Sequence, residues 1–260
     1  MSRITELDLS PHPTATPPGR AALRQGLVEA GLQLRNGEQL LLSLLIPVAA
    51  LMLGRFALPQ LIDFAELAPS VLALALWSSG FTAVAIATGF ERRYGVLERL
   101  ASTPLQRRGL VLGKVIGVGL IATCQLVMLA VLALVLGWRP VGGAAPAVAT
   151  LLTSVTAMAA FVAAALLLAG RLRAEITLAW ANVAHLALAL GGGILVPLAA
   201  LPGPLATVVA FLPTGALGEA WRQLSTGAGA GLVIWAPLVV TAVWAAVLIG
   251  LATKGFRWMS

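Results

Sequence analysis

Apolar residues run through this chain in six long blocks, roughly 40–57, 67–90, 115–137, 146–170, 176–200 and 233–253. Each is close to the ~20 residues that a helix needs to cross a hydrocarbon core. Within a block the apolar character is continuous rather than alternating, which does not match the about 10-residue alternating strands of a membrane barrel. The first block is the shortest, and Pro47 inside it removes a backbone hydrogen bond and predicts a kink. The expectation is an all-α integral membrane protein with six transmembrane helices.

The polar segments set the organisation around these blocks. Residues 1–19 carry Pro11, Pro13, Pro17 and Pro18 among Ser and Thr and read as a disordered tail. In 20–37, Leu23, Leu27, Ala30 and Leu34 fall on one helical face, away from Arg24, Gln25, Glu29 and Arg35. That pattern predicts an amphipathic helix lying on the membrane surface; a solvated linker is the other reading. The transmembrane domain then occupies 38–260. Between the second and third blocks, Tyr94, Leu97 and Ala101 share a face with Leu100 beside them, while Glu91, Arg92, Glu98 and Arg99 mark a polar surface. This predicts one short amphipathic helix that Thr103-Pro104 stops, because a residue before proline disfavours the helical conformation. The segment 191–232 is too apolar for a solvated loop, yet prolines 197, 202, 204 and 213 break it. It predicts short re-entrant or capping helices at 204–212 and 215–224, since irregular backbone at membrane depth must be covered by protein or line a cavity. No internal repeat is visible, so a symmetric repeat transporter is not supported.

Composition narrows the class. Hydrophobic residues make up 59% of the 260 and charged residues 10%, against roughly 25% charge in a soluble domain. Disorder and coiled coil are excluded by the same figures, and a single cysteine, Cys124, excludes a disulfide scaffold. Of the 17 Lys and Arg residues, fourteen fall on the side shared by both termini and three, Arg55, Arg139 and Arg222, on the other. By the positive-inside rule both termini are cytoplasmic. The net charge of +7 is then topology and contact with anionic lipid in the bilayer, not a nucleic-acid footprint. The first block is no cleaved signal peptide, because a polar tail of nearly forty residues precedes it. Arginine outnumbers lysine 15 to 2, a composition that points to a GC-rich bacterial genome.

Candidate chemistry is sparse. No HExxH, CxxC or GxSxG is present. Gly109 to Gly113-Lys114 is one residue short of a phosphate loop and lacks the following Ser or Thr, so Lys114 reads as an interfacial anchor. No Asp, Glu, Lys or Arg sits in the interior of a span, where ion-driven carriers and channels place them. His185, with Asn182 three residues earlier, is open to two readings: a neutral packer, or a proton-relay or substrate contact. Ser78, Ser79, Thr82, Thr123, Gln125, Thr153, Ser154, Thr156 and Trp180 supply mild polarity. They read either as close helix packing or as a weakly polar path for an amphipathic cargo. A transporter without ion-coupling groups or a nucleotide site takes its energy from a separate ATPase pressing on the charged segment 91–103. An ion-coupled secondary transporter and a non-transporting membrane assembly factor are the alternatives.

Glu91-Arg92-Arg93, Gly95, Leu97-Glu98-Arg99-Leu100 and Thr103-Pro104-Leu105, followed by Gly113-Lys114, resemble the signature region of ABC-2 type exporter permeases. These are the membrane subunits of type V ABC transporters, such as the daunorubicin-resistance permeases. Gly192-Gly193, Pro197, Leu201-Pro202, Leu212-Pro213 and Glu219-Ala220-Trp221-Arg222 resemble the re-entrant region of the same family. The likeness runs from about residue 20 to the C-terminus; Leu212-Pro213-Thr214-Gly215 departs from the bulkier polar-aromatic stretch of many members. The resemblance implies two paired permease protomers, identical or not, above two ATPase subunits that bind ATP and Mg. This chain would hold no cofactor or metal and would be no enzyme. Glu91, Arg92, Arg93, Tyr94, Gly95, Leu97, Glu98, Arg99, Leu100, Thr103 and Pro104 would form the coupling helix, and 20–37 the connecting helix. The first, second and fifth spans would line the path, with Ser78, Ser79, Thr82, Trp180, Asn182 and His185 along it. Pro197, Pro202, Pro213, Glu219 and Arg222 would belong to an outer gate. The implied function is export of a hydrophobic or amphipathic molecule, a drug or lipid, across a bacterial inner membrane.

Overall fold

The structure, a computed structural model, describes residues 17–35, 37–60, 63–103, 107–229 and 231–255. Most of the expected tail at 1–19 lies outside them, as do His12, Pro104 and Arg257. Every regular element among the described residues is helical. In order they are α1 (Pro18–Arg35), α2 (Gly37–Met52), α3 (Phe64–Trp77), α4 (Val84–Arg93), α5 (Val96–Ala101) and α6 (Arg107–Val135). Then follow α7 (Ala144–Ala169), α8 (Ala174–Gly191), α9 (Gly203–Ala210), α10 (Pro213–Thr226) and α11 (Ala236–Gly255). Five helical units are long and apolar enough to cross a membrane: Phe64–Arg93, Arg108–Val135, Ala144–Ala169, Ala174–Gly191 and Gly231–Gly255. The first apolar block appears as a shorter apolar helix, Ser43–Ala57, at the end of α2 and its π-helical extension Leu53–Ala57.

The unit Phe64–Arg93 starts where Asp63 Oδ1 accepts the Ala65 N–H at 2.8 Å, an N-cap. Midway, at Ser78–Ala83, it widens into a π-helical turn joining α3 to α4. Such turns are short insertions that concentrate at functional sites. Gly80 sits there, and a Cβ on it would lie 2.8 Å from Met158 Sδ and 3.1 Å from Phe161 Cβ. The Trp77 ring stacks on Phe81 with centroids 4.4 Å apart and meets Phe161 edge-on at 4.8 Å. The buried core forms around these rings, with Leu72, Leu166 and Leu217.

The expected fifth span, 176–200, is shorter in the structure: α8 ends at Gly191. Gly193 takes φ 81°, a conformation that only glycine adopts without strain. A Cβ there would also lie 2.8 Å from the Gly215 Cα. The chain therefore turns back onto α10 instead of continuing. The segment beyond holds α9 and α10, close to the two short helices that the prolines predict. Pro213 occupies the first turn of α10, where its missing N–H costs nothing. α10 is mostly buried and packs against α3, α7 and α11, so it is part of the core.

α1 leaves the leucines of its helical wheel uncovered by protein, as an apolar face turned to lipid requires, and packs on α6 through its small residues. Leu23, Leu27 and Leu34 are exposed, and the face packed on α6 is Ala22, Gly26, Glu29 and Ala30. Lipid removes the drive that would turn leucines inward, and small residues let two backbones approach. A Cβ on Gly117 would lie 2.7 Å from the Gly26 carbonyl oxygen and 3.0 Å from Glu29 Cβ. Replacing Gly117 with valine is therefore expected to destabilise the protein by about 1–3 kcal/mol, read as a lower thermal midpoint in detergent. Gly119→Val, where a Cβ meets nothing within 4 Å, is expected to stay within about 0.5 kcal/mol of the parent.

Candidate coupling site and polar seam

The charged segment after the second apolar block is not one helix. α4 carries Glu91, Arg92 and Arg93 as the last turn of the span itself. The chain breaks at Tyr94-Gly95, where Gly95 takes φ 71°, and restarts as the six-residue α5. The expected shared face of Tyr94 and Leu97 does not form: Tyr94 is 69% exposed and Leu97 is fully buried. Gly95 accounts for this, since a left-handed residue between them resets the helical phase. Leu97 roots α5 in the core, with Leu100 packed against it. Val96, Glu98, Arg99, Ser102 and Thr103 remain exposed around it.

Each charge on α4 has its own partner. The Arg92 guanidinium donates to the carbonyls of Ala169 and Leu172 at 3.2 and 3.3 Å, closing the C-terminal end of α7. Arg93 forms an ion pair with Glu175 at the start of α8. Glu91 belongs to a buried cluster that the sequence reading missed. Its carboxylate lies 2.9 Å from Lys114 Nζ on α6, and Glu29 of α1 lies 3.1 Å from the same nitrogen. Gln25 Nε2 donates to Glu29 Oε1 at 3.0 Å. Lys114 is only 3% exposed, which corrects its reading as an interfacial anchor. Its side chain turns inward because two carboxylates meet it there. Glu29 follows Ala22 and Gly26 at helical spacing, and Lys114 stands beside Gly113 and Gly117. Those two small-residue stripes are the signal a sequence reading could have used.

A small crevice of about 90 Å³ opens beside this cluster, with Glu29, Gln33, Glu91 and Lys114 on its wall. A second, of about 40 Å³, shares Gln33, Ala83 and Val118 with it and reaches Ser43, Ser79 and Gln125. Ser79 Oγ donates to Gln125 Oε1 at 2.9 Å, and Gln125 Nε2 donates to the Ser43 carbonyl at 2.9 Å. Thr82 Oγ1 lies 3.0 Å from His185 Nδ1, and the His185 ring stacks toward Trp77 at 6.4 Å. The π-helical turn thus presents Ser79 to α6 and Thr82 to α8. Asn182 is exposed and donates to the Leu178 carbonyl of its own helix, so it is not the partner of His185. Trp180 is exposed on α8 and Ser78 is half-buried. Of the six expected path residues, Ser79, Thr82 and His185 flank one polar seam.

At the opposite end, Pro197 precedes a single 3-10 turn, Pro202 precedes α9 and Pro213 opens α10. Glu219 and Arg222 form an ion pair at 3.7 Å. The buried Arg222 also donates to the carbonyls of Gly193 and Ile194 at 2.7 and 3.1 Å. Burial lowers the pKa of its guanidinium, while Glu219 and Glu66 oppose that shift; an arginine stays charged regardless. Trp138 Nε1 donates to Ser225 Oγ at 2.8 Å, and that hydroxyl donates to the Ala65 carbonyl at 2.5 Å. No group of three or more metal-ligating side chains occurs among the described residues.

An all-helical bundle with five units long and apolar enough to cross a membrane defines an integral membrane protein. The family model described as ABC-2 family transporter protein matches residues 39–254, and the chain belongs to that family. It is therefore a transmembrane permease subunit of an ABC transporter, and a subunit of this kind is not itself catalytic. Comparison with curated proteins finds no match.

The cluster gives a direct test. Lys114→Met leaves two carboxylates facing each other without their cation and is expected to cost about 3–5 kcal/mol, measured by chemical unfolding in detergent. Replacing Glu29, Lys114 and Glu91 together with methionine is expected to cost less than the single change, because no uncompensated charge remains.

Proposed function

We propose that this permease exports a hydrophobic or amphipathic molecule, driven by ATP that a separate ATPase subunit binds with Mg and hydrolyses. Two protomers pair in a bacterial cell membrane with the basic end on the cytoplasmic side. The ATPase presses on the exposed surface of α5 and the residues beside it, from Tyr94 to Thr103.

One observation carries the reading. α5 is short, exposed on its charged side, and anchored by the fully buried Leu97. One turn before it, Glu91 meets Lys114, which also holds α1. A push on α5 therefore reaches three helices through groups already in contact. The polar seam of Ser79, Gln125, Thr82 and His185 begins beside the same cluster. Its weak polarity suits an amphipathic cargo better than a small ion.

The exposed charges separate coupling from folding. Glu98→Lys with Arg99→Glu reverses two surface charges that touch no core group. In the reconstituted complex, cargo-stimulated ATP turnover is expected to fall about ten-fold or more, since like charges juxtaposed at an interface cost several kcal/mol. Membrane insertion and thermal midpoint are expected to stay unchanged. Unaltered turnover in this variant would remove α5 as the coupling element. Glu91 is unsuitable for the same test, because its reversal would break the buried cluster.

A further inference from the structure

An open cavity of about 570 Å³ lies between the last turn of α4 and the turn joining α7 to α8. Arg92, Arg93, Arg171, Arg173 and Glu175 form its charged wall, a net charge of +3. Arg92 and Arg93 are engaged there by the α7 carbonyls and Glu175. Arg171 and Arg173 are exposed and form no ion pair with another described residue. They flank the start of α8, where no side chain caps the helix and the dipole adds positive potential. Two exposed arginines on the lining of one cavity suit a phosphate, which arginine binds through two parallel N–H donors.

The second observation is apolar. Ile176, Trp180, Val183, Leu186 and Leu190 follow from the cavity along one face of α8, and all five are exposed. Helical spacing aligns them as a stripe running away from the arginines into the bundle's lipid-facing surface. A tryptophan within a turn or two of the basic rim fits the membrane interface, where indole rings concentrate. A soluble phosphate would use the rim and leave the stripe bare. An acidic protein surface would meet the rim and could not follow the stripe into the bilayer. A molecule with a phosphate at one end and hydrocarbon at the other matches both.

We propose that this cavity is a headgroup site for an anionic phospholipid, with Arg171 and Arg173 as its phosphate ligands and the α8 stripe as the seat of its acyl chains. The site is separate from the cargo path, because Ser79 lies in the π-helical turn before α4 and His185 on the face of α8 away from Ile176 and Trp180. It gives the basic end a fixed lipid that sets the depth of the α7–α8 turn.

The test uses the full-length protein in nanodiscs of equimolar phosphatidylcholine and phosphatidylglycerol, with retained lipid counted by native mass spectrometry. The parent protein is expected to retain phosphatidylglycerol preferentially. Arg171→Gln and Arg173→Gln are each expected to reduce that retention about five-fold, and the double change more. Arg20→Gln with Arg24→Gln, which removes equal charge from α1, is expected to leave it unchanged. Ile176→Ser with Val183→Ser is expected to weaken retention with the arginines intact. Equal retention in the Arg171/Arg173 double variant would overturn the site, and so would equal loss in the α1 control or no effect of the stripe variant. Displacement of the lipid by inorganic phosphate alone would assign the cavity to free phosphate. Displacement by the purified ATPase subunit would make it a protein dock, and either result overturns the proposal.

Discussion

One ammonium group, on Lys114, holds three helices together at the basic end of the bundle. Glu29 reaches it from α1 and Glu91 from α4, at 3.1 and 2.9 Å. Removing charges from water is costly, and only close pairing offsets that cost. The cluster therefore tolerates little change in the spacing of its helices. This constraint ties α1 to α6 and ties both to the last turn of α4, which leads into α5. It also explains why α1 packs through Gly26 against Gly113 and Gly117: the carboxylate of Glu29 reaches Lys114 only when the two backbones nearly touch.

The two ends of the bundle are built differently. At the basic end, α5 protrudes on a glycine turn, crevices open beside Lys114, and Arg171 and Arg173 stand exposed. At the other end several polar groups are satisfied within the fold, although the buried Thr214 Oγ1 and Trp221 Nε1 on α10 have no hydrogen-bond partner among the described residues. Arg222 holds the carbonyls of Gly193 and Ile194, and Ser225 bridges Trp138 to Ala65. In a medium without water, backbone carbonyls released by a broken helix need internal donors, and a buried arginine supplies several from one side chain. Arg222, one of the residues expected at an outer gate, thus braces the turn that ends α8 in this conformation.

Between these ends the second apolar block carries the only π-helical turn within a span-length unit among the described residues. The extra residue per turn redirects neighbouring hydroxyls, so Ser79 meets Gln125 while Thr82 meets His185. Three helices are joined there by hydrogen bonds of weak polarity. The arrangement needs no ionised group.

The sequence by itself determined the all-helical membrane class, the location of the apolar blocks, the two proline-delimited helices of the 191–232 segment and the family. Those features follow from composition, from the length of apolar runs and from residues with strong local preferences, all of which act within a few turns of chain. Tertiary structure alone decided which face of α1 packs, that Lys114 turns inward, that the charged segment breaks at Gly95, and which hydroxyls meet His185. Sequence periodicity marks an apolar face, but in a bilayer both lipid and protein satisfy such a face, so the packed side is chosen by small residues and by charges on distant helices. Glu29, Glu91 and Lys114 lie far apart along the chain, and only the folded bundle brings their charges within hydrogen-bond reach.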